Sequence, residues 1–536
     1  MQKSYVRILQ NDKVQDYAKM KIWMVAREYA GIAEAGGVKN VVCSLSEELS
    51  KTGNEVTFFI PEYACTDFSN IKNYKQIENA SVTIEVAETY NDVSFASGIC
   101  NGVNIVFVQS RIYKEKNNVY TYNKKDLEKN PDCIIGTGYK DWLFLDVLFQ
   151  KAVCAYAEKL SQVPDVVHCH DACTAILPAF AKVLYPNVFD RTSFVVSIHN
   201  AGPAYHHEFS DIKQAELFTR LPNDILASAL NQKRIEPYLL ASHYAKLSTV
   251  SYDYAKELLD SNNKNTDGLS QIFSSRKIQI EGITNGIDIN KYLPENRIVS
   301  LLPFEFSPSR KELDGKYKCR SWFLENYAWQ GNLKITVNGT DIIQSGYLTR
   351  DESNENVYIS FHGRLVRQKG IFVILDLFDE VISRFDNVRF IINGQGETFL
   401  QEEVSRRAEY YSGKIVYLCG YEKSLARLCT ACGDFALFPS EFEPCGLEDF
   451  IAQIYGTIPV AHATGGLKKI INGKTGFLYS PNNAETLFAL LEKLIKNKLK
   501  FPGYYDELIK NAADYVKENY TWKTVANEKY IPLYKK

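Results

Sequence analysis

A few side chains stand where they could do chemistry together. Glu443 lies in an acidic loop, residues 441–446, between a buried strand, residues 435–439, and a helix expected from Gly446 to Gly456. Arg364 and Lys369 flank another loop at a helix N-terminus. Two cations and backbone amides there can hold a diphosphate. Gly36 and Gly37 open a third helix after the strand of residues 21–26. A glycine-rich helix start turns unpaired N–H groups toward a phosphate or sugar. Thr464, Gly465 and Gly466 follow the strand of residues 458–463. His170 and Asp171 sit at the tip of one strand, and His199 ends another. The chemistry such a set could do is transfer of a group from a diphosphate leaving group. Charge builds on that leaving group as its bond breaks, so cations must be fixed beside it. Two aspartates spaced Asp-x-Asp would hold a metal for the same task, and no such pair occurs. No side chain stands out as a covalent nucleophile.

Each residue also has a plainer reading. Glu443 could cap a helix, Arg364 and Lys369 could be solvated charges, and Gly36-Gly37 an ordinary strand–helix turn. Asp171 could N-cap the next helix. His206 and His207 read as structural. Cys169–Cys173 with its histidines, and Cys429/Cys432, lack a second pair at zinc spacing, so no metal is expected.

The elements that must position these groups alternate. Short apolar runs at 21–26, 55–61, 194–198, 357–361, 388–394, 414–421, 435–439 and 458–463 read as buried strands. Val38, Val41, Val42, Leu45 and Leu49 recur at helical spacing. Alternation of this kind predicts an α/β fold with parallel sheets, whose ligands sit outside the carboxyl ends of the strands. Three β-rich runs fall between 81 and 110, a polar loop spans about 111–130, and a helix runs from about 140 to 160. Asn338-Gly339 suits a type I′ hairpin turn, read as an insertion of unknown purpose.

Bulk properties narrow the classes. A chain of 536 residues holds two or more domains. A formal net charge of -2 leaves no electrostatic footprint for nucleic acid. The longest apolar runs fall short of a membrane span, and the charged N-terminus lacks the apolar core of a secretory signal. Residues 1–20 read as a leader. Twelve scattered cysteines suit a reducing cytoplasm without disulfides.

Several segments resemble one family. E-P-C-G-L (443–447), Y-G-T-x-P (455–459) and T-G-G-L (464–467) are similar to those of bacterial glycogen synthases and plant starch synthases. So are the H-x-H-D segment at 168–171, H-N at 199–200, N-G-I-D at 285–288 and R-L-x-x-Q-K-G at 364–370. The K-x-G-G-L loop of that family is matched imperfectly. Glu34 stands for its lysine, Val38 for its leucine and Asn40 for a nearby aspartate.

The resemblance implies a GT-B glycosyltransferase: two Rossmann-like domains facing a central cleft. The domains would span 21–290 and 291–504, with a C-terminal helix, 505–536, packing back on the first. The activity implied is transfer of glucose from ADP-glucose to the nonreducing end of an α-1,4-glucan, with retention of configuration and without a metal or other cofactor. The implied catalytic residues are His199, Asp171, Arg364, Lys369 and Glu443. The implied donor contacts are Glu34, Gly36, Gly37, Asn285, Arg364, Lys369, Tyr421, Glu443, Cys445, Gly446, Leu447, Thr464, Gly465 and Gly466. Tyr421 would stack on the adenine. The replaced lysine leaves open a glucan-binding homologue with little catalysis, and UDP-glucose is the other donor to weigh. If Glu34 faces a diphosphate it must turn away or pair, with Lys39 or Arg27 supplying the missing cation.

Overall fold

The computed structural model describes residues 19–331, 333–350, 356–501 and 503–536. The expected leader lies almost wholly outside the described residues. Two sheets organise the chain. The first has ten strands, in the order Ile280–Gly282, Lys246–Thr249, Ser193–Ile198, Val166–His170, Lys21–Val25, Glu55–Pro61, Val103–Gln109, Thr89–Cys100 and Lys72–Gln76, with Val82–Val86 paired to Thr89–Cys100. It is parallel as far as Val103–Gln109 and antiparallel beyond. The second runs Lys334–Val337, Thr340–Gly346, Ile415–Cys419, Val388–Gly394, Val357–His362, Phe435–Phe438, Ile458–His462 and Phe477–Tyr479. Its last six strands are parallel.

The parallel strands are apolar because helices cover both faces. Helix Val38–Lys51 buries Val41, Val42, Leu45 and Leu49, the residues whose spacing marked it. Each such side chain contributes about 1.5–3 kcal/mol on full burial. Helix Trp142–Leu160 is buried around most of its circumference, so its amphipathic signal is weak.

Two expectations change, one strand is new and one hairpin forms as expected. The segment read as a polar loop at 111–130 contains short helices, Arg111–Lys114 and Lys124–Lys129, the second closed by an Asn123/Asp126 capping box. The exposed strand Lys72–Gln76 was invisible because it carries no apolar alternation. The hairpin at Asn338-Gly339 does form, with φ of 48° and 79°, and it extends the second sheet by pairing with Ile415–Cys419. The C-terminal crossing comes later than residue 505. Helix Asp506–Asn519 packs through Leu508, Ile509 and Val516 in the cores of the second unit. Only Trp522 onward joins the core of the first, where the Tyr534 hydroxyl meets His168 Nδ1 at 2.8 Å.

One buried charge braces the second unit. Asp434 Oδ1 lies 3.0 Å from Arg320 and 3.4 Å from Lys498, and Oδ2 accepts the Tyr358 N–H at 2.9 Å. Burial pushes this carboxyl up, but Arg320 and Lys498 outweigh it and hold the pKa at about 2. An unfolded aspartate titrates near 3.9. The stabilisation is therefore present above about pH 4 and lost as pH falls through about 2. It amounts to about 2–3 kcal/mol. Acid melting of Asp434→Asn is expected to lose that much less stability between pH 4 and 2 than wild type. Parallel acid profiles would remove Asp434 from this role.

Candidate active site

The carboxyl edge of the second sheet carries the cations. Strand Val357–His362 leads into the loop that ends at Gly370, where helix Ile371–Arg384 starts. Gly370 has φ 71°, and a Cβ there would fall 1.8 Å from the Pro439 carbonyl, so this loop and the next strand end touch backbone to backbone. The contact continues as Glu441 N–H to Gln368 O (2.9 Å) and Gln368 Nε2 to Phe442 O (2.9 Å). Lys369 Nζ thereby sits 2.5 Å from Glu443 Oε2, which also accepts the Ser440 hydroxyl at 3.1 Å. Arg364 is exposed, and its guanidinium has no partner among the described residues. Tyr421 is 60% exposed, with its ring nearly parallel to His362 at 6.3 Å between centroids.

The helix after Glu443 starts later than expected. It spans Glu448–Ile454, after Leu447, and its first turn holds Glu448 and Asp449. No side chain caps that terminus, and the Asp449 carboxylate turns to Lys469 at 2.8 Å. Cys445 and Gly446 serve differently. Their carbonyls accept from Lys469 Nζ at 2.7 and 2.9 Å, and Lys469 also meets Gly466 O at 3.2 Å and Asp449 Oδ1 at 2.8 Å. Cys445 is buried, with its thiol against the backbone of Asn285, itself buried. The Thr464-Gly465-Gly466 loop interlocks with the Glu443 loop: Gly466 N–H donates to Glu443 O at 2.8 Å. A Cβ at Gly465 or Gly466 would lie 2.1 Å from the Glu443 or Cys445 carbonyl oxygen. These two glycines are demanded by packing.

The first sheet supplies the facing wall. His170 ends strand Val166–His170, and Asp171 follows with φ 63°. Asp171 does not cap the short helix after it. Its Oδ1 accepts the backbone N–H of His199 at 2.7 Å and lies 3.3 Å from the Tyr238 hydroxyl. His199 Nε2 lies 3.0 Å from His170 Nδ1, while His170 Nε2 is buried without a partner. An orphaned lone pair costs less than an orphaned N–H. The favoured tautomer therefore has His170 Nδ1–H donating to His199 Nε2, with the proton of His199 on Nδ1. Burial lowers the pKa of both rings, so both are neutral.

The glycine-rich loop is held by Glu28. This buried carboxylate accepts the N–H groups of Ala35 and Gly36 at 3.0 and 2.6 Å. A Cβ at Gly37 would meet nothing within 4 Å, so local packing does not require glycine there. Glu34 is tied to Gly31 N–H at 2.7 Å and to Lys39 Nζ at 2.7 Å. Burial raises its pKa, but the hydrogen bonds from Lys39 and Gly31 and the Lys39 charge together outweigh it and bring it below the usual value, so it is ionised. Arg27, the second candidate for the missing cation, is excluded. It is buried with its guanidinium 2.6 Å from Asp146 and bonded to Tyr63 and Val119 O. Lys39→Ala is accordingly expected to raise the donor KM severalfold by baring Glu34, and Glu34→Lys in that background to restore it. An unchanged KM in Lys39→Ala would leave donor binding to the second unit alone.

The two edges touch. Ser251 Oγ donates to Pro444 O at 2.6 Å, and the Glu257 carboxylate accepts from Gly465 N–H at 2.7 Å and Lys468 at 3.1 Å. The structure thus groups Lys369, Glu443, Cys445, Gly446, Thr464, Gly465 and Gly466 in one cluster, and His170, Asp171 and His199 in another. Sequence reasoning missed Glu28, Glu257 and Lys469. Lys469 was the most legible, since a lysine three residues past a Gly-Gly turn can reach back over it.

Two Rossmann-like domains, each with functional loops at the carboxyl edge of a parallel sheet, define a GT-B glycosyltransferase. Residues 21–274 match the family model described as starch synthase catalytic domain, and residues 350–515 match glycosyl transferases group 1. The glycogen synthase of Thermodesulfovibrio yellowstonii is 28% identical over 546 residues, covering 96% of this chain and 97% of that protein. The glycogen synthase of Elusimicrobium minutum is 28% identical, covering 96% and 99%. The catalytic domain of starch synthase IV from Arabidopsis thaliana, solved with ADP and acarbose, superimposes with a TM-score of 0.77 at 21% identity, covering 97% of this chain and 99% of that one. The chain belongs to the glycogen and starch synthase family.

Proposed function

We propose that this enzyme transfers glucose from ADP-glucose to the nonreducing end of an α-1,4-glucan with retention of configuration. The observation that carries the reading is the Lys369–Glu443 pair on loops bonded to each other at one sheet edge, with Arg364, unpaired among the described residues, on the same loop as Lys369. Arg364 and Lys369 would hold the diphosphate and neutralise charge on the leaving oxygen as the anomeric bond breaks. Glu443, freed in part when Lys369 turns to phosphate, would grip hydroxyls of the transferred glucose. Asp171 holds the His199 backbone, so the His199 carbonyl or ring can face the oxocarbenium-like centre while Asp171 orients the acceptor side. Tyr421 would stack on the adenine. With no side chain placed as nucleophile, the departing phosphate takes the proton of the incoming hydroxyl on the same face.

Two cations in reach of the diphosphate, and no Asp-x-Asp pair, support a reaction that needs no divalent metal. The test is one turnover assay with glycogen as acceptor, run with ADP-glucose and UDP-glucose side by side, each with and without excess chelator. The expected result is faster transfer from ADP-glucose and a rate nearly unchanged by chelator. Preference for UDP-glucose would replace the donor. A collapse with chelator that Mg²⁺ or Mn²⁺ reverses would replace the metal-free step. No turnover with either donor would favour a glucan-binding homologue.

A further inference from the structure

A second chemical cluster lies apart from the Lys369–Glu443 edge. His206, Glu208 and Glu236 bring one ligand atom each within 4.8 Å of one another. Glu236 is fully buried, His206 is 3% exposed, and the Glu208 carboxylate is nearly as deep. The ring of His206 is oriented from behind, because Nε2 lies 2.9 Å from the Ala201 carbonyl. Only an N–H approaches a carbonyl in that way, so Nε2 is protonated and Nδ1 is the atom turned to the two carboxylates. Metal-ligating histidines are held by the same kind of outer contact.

The inner geometry is unusual for an ion pair. Glu236 Oε2 comes within 2.8 Å of Nδ1 and Glu208 Oε1 within 3.8 Å. Burial pulls the His206 pKa down, but the two carboxylates outweigh it and lift it to about 10, yet the ring N–H would point off the line to Glu236 Oε2, so neither Nδ1 nor that oxygen has a well-aligned hydrogen bond. Two buried polar atoms in contact without a hydrogen bond are costly and call for an explanation. Nitrogen and carboxylate ligands that share one ion at about 2.0–2.2 Å stand roughly 3–3.5 Å apart, a spacing that falls between these two separations, so shifts of a few tenths of an ångström would seat an ion.

We propose that His206, Glu208 and Glu236 form a binding site for one divalent transition-metal ion of the zinc type. Once the ion displaces the Nδ1 proton, the neutral imidazole and two carboxylates carry a charge that a divalent cation cancels. Outer contacts are in place: Arg234 bonds the other Glu208 oxygen at 2.6 Å, and Asn231 Nδ2 lies 3.1 Å from Oε1. Three protein ligands leave a position for water, as in open zinc sites. Glu208 also lines a pocket of about 590 Å³ with Trp142, Phe144 and Gln214, which supplies an entry path. The ion would tie the segment after His199 to the start of helix Pro237–Ala241. That helix carries Tyr238, whose hydroxyl receives the Ala172 N–H at 3.0 Å and contacts Asp171. The site would brace the wall behind Asp171 and takes no part in the transfer itself.

The competing occupant is a proton, which would make the cluster an imidazolium between two carboxylates. Titration of chelator-stripped full-length protein with Zn²⁺ alone, by calorimetry and by metal content, separates the two. The expected result is one Zn²⁺ per chain, a higher Tm with zinc, and at least about 100-fold weaker binding in His206→Gln/Glu208→Gln. If that double variant fails to fold, Glu208→Gln at the rim serves instead. Anomalous scattering at the zinc edge from a soaked wild-type crystal should peak between the three residues. No zinc uptake, uptake unchanged in the variants, or a peak elsewhere would overturn the site.

Discussion

Replacing Lys369 or Glu443 by alanine is expected to lower kcat by about 10²–10³ while leaving the fold intact, and Arg364→Ala to do the same. Fixed charge beside a leaving diphosphate acts in the transition state, so the loss should fall on kcat more than on KM. The structure explains why folding should survive. Arg364 is exposed without a partner among the described residues, and Lys369 and Glu443 are partly exposed at a loop edge. Such a pair adds at most about 1 kcal/mol to stability. The three variants should differ in one respect. Lys369→Ala removes both the cation and the partner of Glu443, so Lys369→Ala/Glu443→Ala should be much less than additive in rate. Circular dichroism and Tm measured beside kcat check the separation. A variant that unfolds was structural, and a folded variant near wild-type rate has no part in the chemistry.

Lys469→Ala is expected to be the most destabilising single change near the site. Lys469 joins the Cys445, Gly446 and Gly466 carbonyls to Asp449, and the two side chains of the ion pair are 5% and 0% exposed. Breaking a buried pair from one side costs about 3–5 kcal/mol. In a unit of this size that is roughly 6–20 °C of Tm. Burial already pushes Asp449 up to about 6, against the pull of Lys469. An aspartate raised above its unfolded pKa favours the fold while protonated and loses that contribution as pH rises through the folded value. Without Lys469 the carboxyl rises further, so the variant should lose less stability at pH 5.5 than at pH 8. Thermal melts at the two pH values test this. Equal losses would mean that the carbonyl contacts, and not Asp449, set the cost.

The same residues mark where sequence reading stops. Alternating apolar runs placed most of the parallel strands of both sheets, because burial on both faces leaves little choice of residue, but the short strands Lys246–Thr249, Ile280–Gly282 and Phe477–Tyr479 were not read. The glycine loops were legible because a Cβ at Gly465 or Gly466 collides with a carbonyl, so packing prescribes the residue type. Asn338-Gly339 was legible because its turn needs two positive φ values.

What sequence could not decide were pairings between distant segments. Lys469 with Asp449, Glu257 with Gly465 and Glu28 with Gly36 join residues whose spacing follows no helix or strand period. Arg27 and Lys39 flank one loop, and both were candidates for the missing cation, Lys39 first and Arg27 second. Only the fold buried Arg27 against Asp146, a partner 119 residues away, and left Lys39 on the rim with Glu34. Local composition determined the sheets, the turns and the residue types at the loops. The tertiary structure decided which charges are neutralised inside the protein and which stay free for a ligand, since that depends on contacts between segments far apart in the chain.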